Sequence, residues 1–168
     1  RTPAQAVGSP HRTPTLPALC VDTDEPHMPN TSMVQLFPFG QPLRCLHQID
    51  RSPKRVFVLG VYASAVHARW VGPDGKDVVK ALAVASEPYI FWRGEGTAEI
   101  IQQINIPPEL GILKAADAMF NGPSGIALDE RILAPLGLNR ADAWLCDLVP
   151  HSCVNTGQQK AIAERYAP

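Results

Sequence analysis

Two short apolar runs in this chain have the composition of strands buried in a parallel sheet. The first, Val56–Leu59, stops at Gly60, and the second is Ala143–Val149, in which Asp147 is the only charge. Continuous runs of β-forming residues are typical of strands covered on both faces. The segment between them is long enough to contain helix, so we predict that the two strands pair in parallel. Ligands of open α/β sheets lie at the carboxyl edge, which predicts a site at Gly60–His67.

The distribution of proline divides the chain into two parts. Nine of the 17 prolines fall within the first 53 residues, and we interpret residues 1–50 as a Pro-rich, partly irregular N-terminal segment. Residues 51–168 are then expected to form one α/β domain, since a chain of 168 residues suits a single core. Within the first part, Val34–Phe39 either docks on the body of the protein or binds a partner, and docking is the favoured interpretation.

Charge and cysteine content argue against several classes of protein. A net charge of −1 gives no overall basic field that would attract nucleic acid, although it leaves room for a local basic patch. The four cysteines form no CxxC pair, so we expect no metal, no iron–sulfur cluster and no other cofactor. The sequence contains neither a signal-peptide core nor a run long enough to span a membrane, which predicts a cytoplasmic protein. We also expect a monomer.

Two segments between the runs carry side chains that either contact nucleic acid or have an ordinary structural role. A Pro-Asp-Gly turn at residues 73–75 predicts a β-hairpin. Alternation in its first strand places His67 and Arg69 on one face, which either contacts phosphate groups or is simply solvated. The aromatic-rich stretch Ser86–Gly94 either stacks a base or caps the core.

Two helices are predicted before the second apolar run. The shorter one covers Thr97–Ile104, and Ile106-Pro107-Pro108 stops it. The longer one begins at Ser124 or Gly125 and ends at Gly137, a residue type common just after a helix. Apolar residues four positions apart lie on one helix face, so we expect three of them to point inward, namely Leu128, Ile132 and Leu136.

The order of these landmarks resembles the uracil-DNA glycosylase superfamily over roughly residues 51–168. Gly60–Ser64 lies where that family carries its first catalytic motif, Gly-x-(Asp, Asn or Glu)-Pro-(Tyr or Gly). Phe120 lies where members with a Pro-Phe-x-Gly-x-x-Gly loop hold the ring that stacks on the base. Gly137–Asp142 matches the lead into the second core strand, and Asp147 falls where the family has an Asn that hydrogen-bonds the base edge.

The resemblance implies a three-layer αβα fold with a short, mostly parallel central sheet, and DNA with a damaged base as the partner. It implies a protein that extrudes a base into a pocket and hydrolyses its N-glycosidic bond in base-excision repair. The residues implied in catalysis are Tyr62 and His67. Those implied in base binding are Gly60, Val61, Phe120 and Asp147. Those assigned to DNA phosphate contacts are Ser64, Arg69 and His151.

Departures from the family pattern leave two functions open. Tyr62 replaces the acid or amide that orients water, and Asp147 replaces the Asn. An ionised Asp147 only accepts hydrogen bonds, so it suits N–H donors on a base such as the cytosine N4 amine or uracil N3–H. Because tyrosine cannot act as a carboxylate base, we expect uracil excision to be slow or absent, with His67 as the nearest substitute. The chain is therefore either a DNA glycosylase of altered specificity or a non-catalytic nucleic-acid or nucleotide-binding module.

Overall fold

The computed structural model describes residues 37–152 and 156–165, all within a compact unit that spans residues 32–168. Its five strands are β1 Val56–Tyr62, β2 Ala65–Val71, β3 Asp77–Ser86, β4 Ile112–Ala115 and β5 Ala143–Val149. Its α-helices are α1 Thr97–Gln102, α2 Pro123–Ala127 and α3 Thr156–Arg165. Helix α2 continues as a π turn at Leu128–Leu133 and a 3-10 turn at Ala134–Leu136, and further 3-10 turns lie at Pro108–Leu110, Ala118–Phe120 and Arg140–Asp142.

The strands form two separate sheets, which confirms the mixed α/β class. Strands β1 and β5 form a two-stranded sheet, and β3, β2 and β4 form a three-stranded sheet in that order. The second sheet is antiparallel and contains the predicted hairpin, whose turn includes Gly75 at a φ of 76°. Within the described residues, this differs from the expected single, mostly parallel central sheet, because the hairpin and β4 pair with one another and not with β1.

Strands β1 and β5 pair in parallel, as predicted. The register joins Val56 to Ala143 and Gly60 to Asp147, and it continues to Tyr62 opposite Val149. The strand therefore runs past Gly60, where a loop was expected, because the backbone of this segment still finds partners on β5. Gly60 and Asp147 lie side by side near the carboxyl ends of both strands, at the edge where the site was predicted.

Burial of β1 on both faces was a wrong prediction. Phe57 is 64% exposed, Leu59 55% and Val61 70%, whereas Val58 packs on the cluster around Leu128 and Leu133. Alternate side chains of a strand point to opposite faces of its sheet. In the part of the chain that the structure describes, side chains cover only one face of the β1–β5 pair, so the uncharged run reflects one buried and one open face.

The inward face of the helical segment 123–136 also differs from the prediction. Leu128 and Leu133 are each 2% exposed, while Ile132 is 47% and Leu136 64% exposed. The physical reason is the π turn, in which hydrogen bonds join residues five apart and the helix widens. That wider turn places Leu133 where a regular α-helix would have placed Ile132. The predicted end at Gly137 is confirmed by its left-handed φ of 65°.

The main core forms between the antiparallel sheet, helix α1 and the segment that enters the domain from the N-terminal side. Phe37 and Trp70 are fully buried, and their ring centroids lie 5.6 Å apart. The Trp70 indole N–H also donates to the Leu110 carbonyl oxygen at 2.7 Å. Docking of the segment around Phe37 is therefore confirmed. The rest of the segment before Phe37 lies outside the described residues.

Replacement of Phe37 by alanine should destabilise the domain by about 3–5 kcal/mol, because it removes a fully buried ring from the core. Phe57→Ala is the matched control, since this ring is 64% exposed and its loss should change stability by about 0.5 kcal/mol or less. Urea denaturation of both variants measures the difference. Equal stabilities would contradict the docking of Phe37.

Candidate active site

A cavity of about 130 Å³ opens at the carboxyl ends of β1 and β5. It contains five residues that the sequence nominated for the site, which are Gly60, Val61, Tyr62, Ser64 and Asp147. It also contains three residues that were not nominated, which are Glu87, Phe91 and Ser124. The parallel register brings the first group together, because Gly60 on β1 is the pairing partner of Asp147 on β5.

The Asp147 carboxylate lies directly over Gly60. A Cβ atom at position 60 would collide with Oδ1 of Asp147 and would stand 3.1 Å from Cζ of the Phe91 ring. Glycine at this position therefore leaves the space that the acid and the ring occupy, because both approach the strand backbone. Burial raises the pKa of Asp147. Its carboxylate accepts no hydrogen bond from the described residues, so both oxygens can accept one from a ligand.

A second carboxyl group, that of Glu87, enters the same cavity from the residue that follows β3. Its side chain is 1% exposed, with Oε1 accepting from the Ser64 backbone N–H at 3.1 Å and Oε2 from the Trp92 N–H at 3.3 Å. Burial is the main cause that raises the pKa of Glu87 to about 7, and the negative charge of Asp147 adds to it. Hydrogen bonds from Ser64 and Trp92 and the charge of Arg140 act in the opposite direction.

The ring of Phe91 reaches the cavity from a loop with an unusual backbone. Phe91 has a φ of 54°, a left-handed conformation that is sparsely populated outside glycine. The guanidinium group of Arg140 holds this loop, donating to the carbonyl oxygens of Phe91 at 2.7 Å, Ile90 at 3.3 Å and Gly125 at 3.2 Å. Arg140 is itself oriented by an ion pair with Asp129 at 2.7 Å. Arg140 therefore links the aromatic loop to helix α2.

Glycines at the start of α2 let the aromatic loop approach the helix closely. A Cβ atom on Gly125 would collide with the carbonyl oxygens of Phe91 and Trp92, and one on Gly122 would collide with the backbone of Arg93. Gly122 also has a φ of 80°, which favours glycine. The loop backbone therefore rests on the helix backbone with no side chain between them, which fixes the depth of the Phe91 ring in the cavity.

Two of the nominated residues, His67 and Phe120, lie together outside this cavity. The Asn121 side chain accepts from the His67 N–H at 2.8 Å and donates to the His67 carbonyl oxygen at 3.1 Å. Burial lowers the pKa of His67, while backbone groups of Phe120 and Ala65 oppose that change. Phe120 is half-buried at the end of its 3-10 turn. Neither side chain lines the cavity with Tyr62 and Asp147.

The nominated phosphate contacts are dispersed. Ser64 lines the cavity, whereas Arg69 points from β2 into an ion pair with Asp77 at 2.6 Å. His151 is half-buried just after β5 and is not among the residues that line the cavity. In the described residues, these three side chains therefore do not form one basic surface at the opening. Among the same residues, no three His, Cys, Asp or Glu side chains are grouped so that they could hold a metal ion.

Glu87 and Phe91 were missed because they stand in the stretch interpreted as an aromatic loop. One signal was available, since Glu87 is the only acid directly after a long run of small apolar residues at the end of β3. An acid placed at the end of a strand beside another buried strand is a candidate for a site. The position of Phe91, in contrast, depends on Arg140 forty-nine residues later, and no local pattern reveals it.

Protonation of Glu87 should make folding stability depend on pH. The pKa of this carboxyl group is 4.5 in the unfolded chain and about 7 in the folded chain. Between these two pH values the unfolded chain has lost the proton that the folded chain keeps. Stability should therefore fall as the pH rises through this window, by about 3 kcal/mol from this group. Urea denaturation between about pH 4.5 and about pH 8 should show that Glu87→Gln lacks this part of the pH dependence. Glu99→Gln, at an exposed acid of α1, should retain it; identical profiles for wild type and Glu87→Gln would contradict the assignment.

Replacement of Arg140 by lysine should destabilise the domain by about 2 kcal/mol, because one ammonium group cannot serve three carbonyl oxygens in a planar array. Arg131→Lys is the matched control, since Arg131 is exposed on the π turn of the same helical segment. Urea denaturation measures both variants, and near-ultraviolet circular dichroism reports on the aromatic loop. A loss as small as that of the control would show that the loop holds without Arg140.

Comparison with known proteins assigns no family to the chain. No protein-family model, no curated protein and no solved structure matches the chain. In the part of the chain that the structure describes, no helix is both long enough and apolar enough to cross a membrane. The case for function therefore depends on the geometry and chemistry of the cavity.

Proposed function

We propose that the cavity binds a single-ring nucleobase and that the chain is a divergent DNA glycosylase, which hydrolyses the N-glycosidic bond of a base in DNA. One observation carries the proposal. The free carboxylate of Asp147 and the ring of Phe91 line one cavity at the carboxyl edge of a parallel strand pair. A hydrogen-bonding edge reader and a flat apolar surface are the two elements that a pocket for an extruded base requires.

The proposal also includes a specific fold, that of the uracil-DNA glycosylase superfamily. The resemblance assigned the first motif to Gly60–Ser64 and the base-edge residue to Asp147, and both line the same cavity. Their proximity supports a uracil-DNA glycosylase-like arrangement of β1 and β5. A chance resemblance in the order of landmarks would not require the two segments to meet at one site.

The size of the cavity favours a pyrimidine. An apolar cavity of about 150 Å³ holds one benzene molecule. The cavity beside Asp147, at about 130 Å³, is close to that volume and suits one six-membered ring. A purine has two fused rings and would require the loop that carries Phe91 to move. Arg140 opposes such movement, because it bonds the Phe91 carbonyl oxygen at 2.7 Å.

Tyr62 stands at the mouth of the cavity, where it is 61% exposed. In an extruded nucleotide the base enters first, so the sugar would lie near this ring. A phenol there can limit access or contact the sugar, but it supplies no carboxylate. The alternative function, a non-catalytic nucleic-acid or nucleotide-binding module, rests on this side chain, because Tyr62 stands at the position where the resemblance expects the acid or amide that orients water.

Binding and release should be measured on oligonucleotides that carry uracil, hypoxanthine, xanthine or a thymine mismatch. Phe91→Ala should weaken binding of the preferred oligonucleotide by about 5- to 150-fold, since stacking contributes about 1–3 kcal/mol per base. Phe120→Ala is the matched control, because it removes the same ring outside the cavity. A larger loss in Phe120→Ala than in Phe91→Ala would move the stacking role to Phe120. Absence of any base-dependent binding by the wild type would refute the proposal.

A further inference from the structure

The cavity lacks a water-activating group in the position where the resemblance expects one. Tyr62 occupies that position on β1, and His67, the substitute expected from the sequence, lies outside the cavity beside Asn121. Glu87 is the other acid in the cavity, besides Asp147. It arrives from the end of β3, and its Oε1 atom is bonded to the backbone of Ser64, two residues after Tyr62.

We propose that Glu87 is the general base of this site and takes the proton from the water that attacks the sugar. This inference rests on the proposed function, because it assigns a role within N-glycosidic hydrolysis. It replaces the acid or amide of the first motif by an acid that follows a strand of the antiparallel sheet and lines the cavity at the carboxyl ends of β1 and β5.

The geometry of Glu87 suits a positioned base. Its two oxygens accept from the N–H groups of Ser64 and Trp92, and the Glu87 N–H donates back to the Ser64 carbonyl oxygen at 3.4 Å. Backbone groups of two loops therefore hold the carboxylate in place. An ionised carboxylate offers about four lone-pair sites, so it can still accept from a water molecule in the cavity. At 1% exposure the group is shielded from bulk solvent.

The environments of the two acids divide the work between them. Asp147 lies over the open edge of Gly60 and has no bond to the described residues, so it is available to the edge of a base. Glu87 is deeper and is oriented by two donors. Paired carboxyl groups in different environments take different roles in hydrolytic sites. The opposite assignment fits less well. Glu87, which two donors hold in place, would have to adapt to different bases, and Asp147, which no described donor holds, would have to orient the water.

Burial and the groups around Glu87 set its protonation near neutrality. Burial, and to a smaller extent the charge of Asp147 on β5, raise its pKa to about 7, whereas the hydrogen bonds from Ser64 and Trp92 and the charge of Arg140, from the turn before β5, lower it. A base with a pKa close to the working pH is partly ionised and accepts protons effectively. Glu87 must be ionised to act, so base release should increase as the pH rises through about 7 and then reach a plateau.

The chemical step balances with water as the only co-reactant. The water oxygen forms a bond to C1′ of the sugar while the C1′–N bond breaks, and that electron pair leaves with the base. The proton of the water passes to Glu87. Transfer of this proton to the departing base, directly or through solvent, restores the carboxylate. The products are the free base and a sugar with a hydroxyl group at C1′.

Single-turnover release from the oligonucleotide panel tests the role of Glu87. In Glu87→Gln, release should fall by about 10²- to 10⁴-fold, while base binding stays within a few-fold of wild type. Glu99→Gln should release base at the wild-type rate. In Glu87→Gly, added formate should restore part of the lost rate, because a small carboxylate can occupy the space left by the side chain. A merely structural role for Glu87 would not give this rescue.

The outcomes separate this inference from the proposed function. Release by Glu87→Gln at the wild-type rate would overturn the role of Glu87 and leave the glycosylase proposal standing. Binding that depends on Phe91 with no release at any pH would overturn the role as well and would favour the non-catalytic module. Absence of both binding and release in the wild type would refute both proposals. If Glu87→Gln does not fold, a wild-type rate that is independent of pH through about 7 would by itself overturn the inference.

Discussion

The position of the site depends on one guanidinium group. Arg140 donates to three backbone carbonyl oxygens on two segments and is oriented by Asp129 on the helix that it braces. A planar group with several fixed donors can satisfy such an array, and hydrogen bonds to a charged donor are stronger than neutral ones. The bonds hold Phe91 in a left-handed conformation that would otherwise relax. The wall of the cavity that Phe91 forms therefore results from a contact distant in sequence.

The part of the fold that follows from local pattern could be predicted from the sequence. Parallel pairing of β1 with β5 follows from two short runs of mostly β-forming residues and a long connection, and the glycine–aspartate neighbours at their carboxyl ends follow from it. Docking of Phe37 and the end of the helical segment at Gly137 follow from residue type. In each case the information lies within a few residues of the feature.

The features that could not be predicted arise from contacts between distant segments. The exposed face of β1 has the same composition as a buried one, so only the absence of covering side chains in the described structure distinguishes them. The π turn shifts the inward face of the helix by one residue, and no residue type within Leu128–Leu133 predicts this turn. Glu87 becomes an acid of the cavity through Ser64 and Trp92, which bind it from two loops. Tertiary contacts decide each of these.

The open face of β1 has a consequence for the behaviour of the chain in solution. Val56–Tyr62 is a seven-residue strand of β-formers with no charge and no proline, which is the composition of segments that stack into cross-β fibrils. In the described structure β1 pairs on one side only, with β5, so its other edge pairs with no described strand and is open to pairing with another chain. Arg55 directly precedes the strand with its side chain 68% exposed, and a charge in that position repels neighbouring copies. Solubility of this domain is therefore expected to depend on a cation that lies outside its core and its cavity.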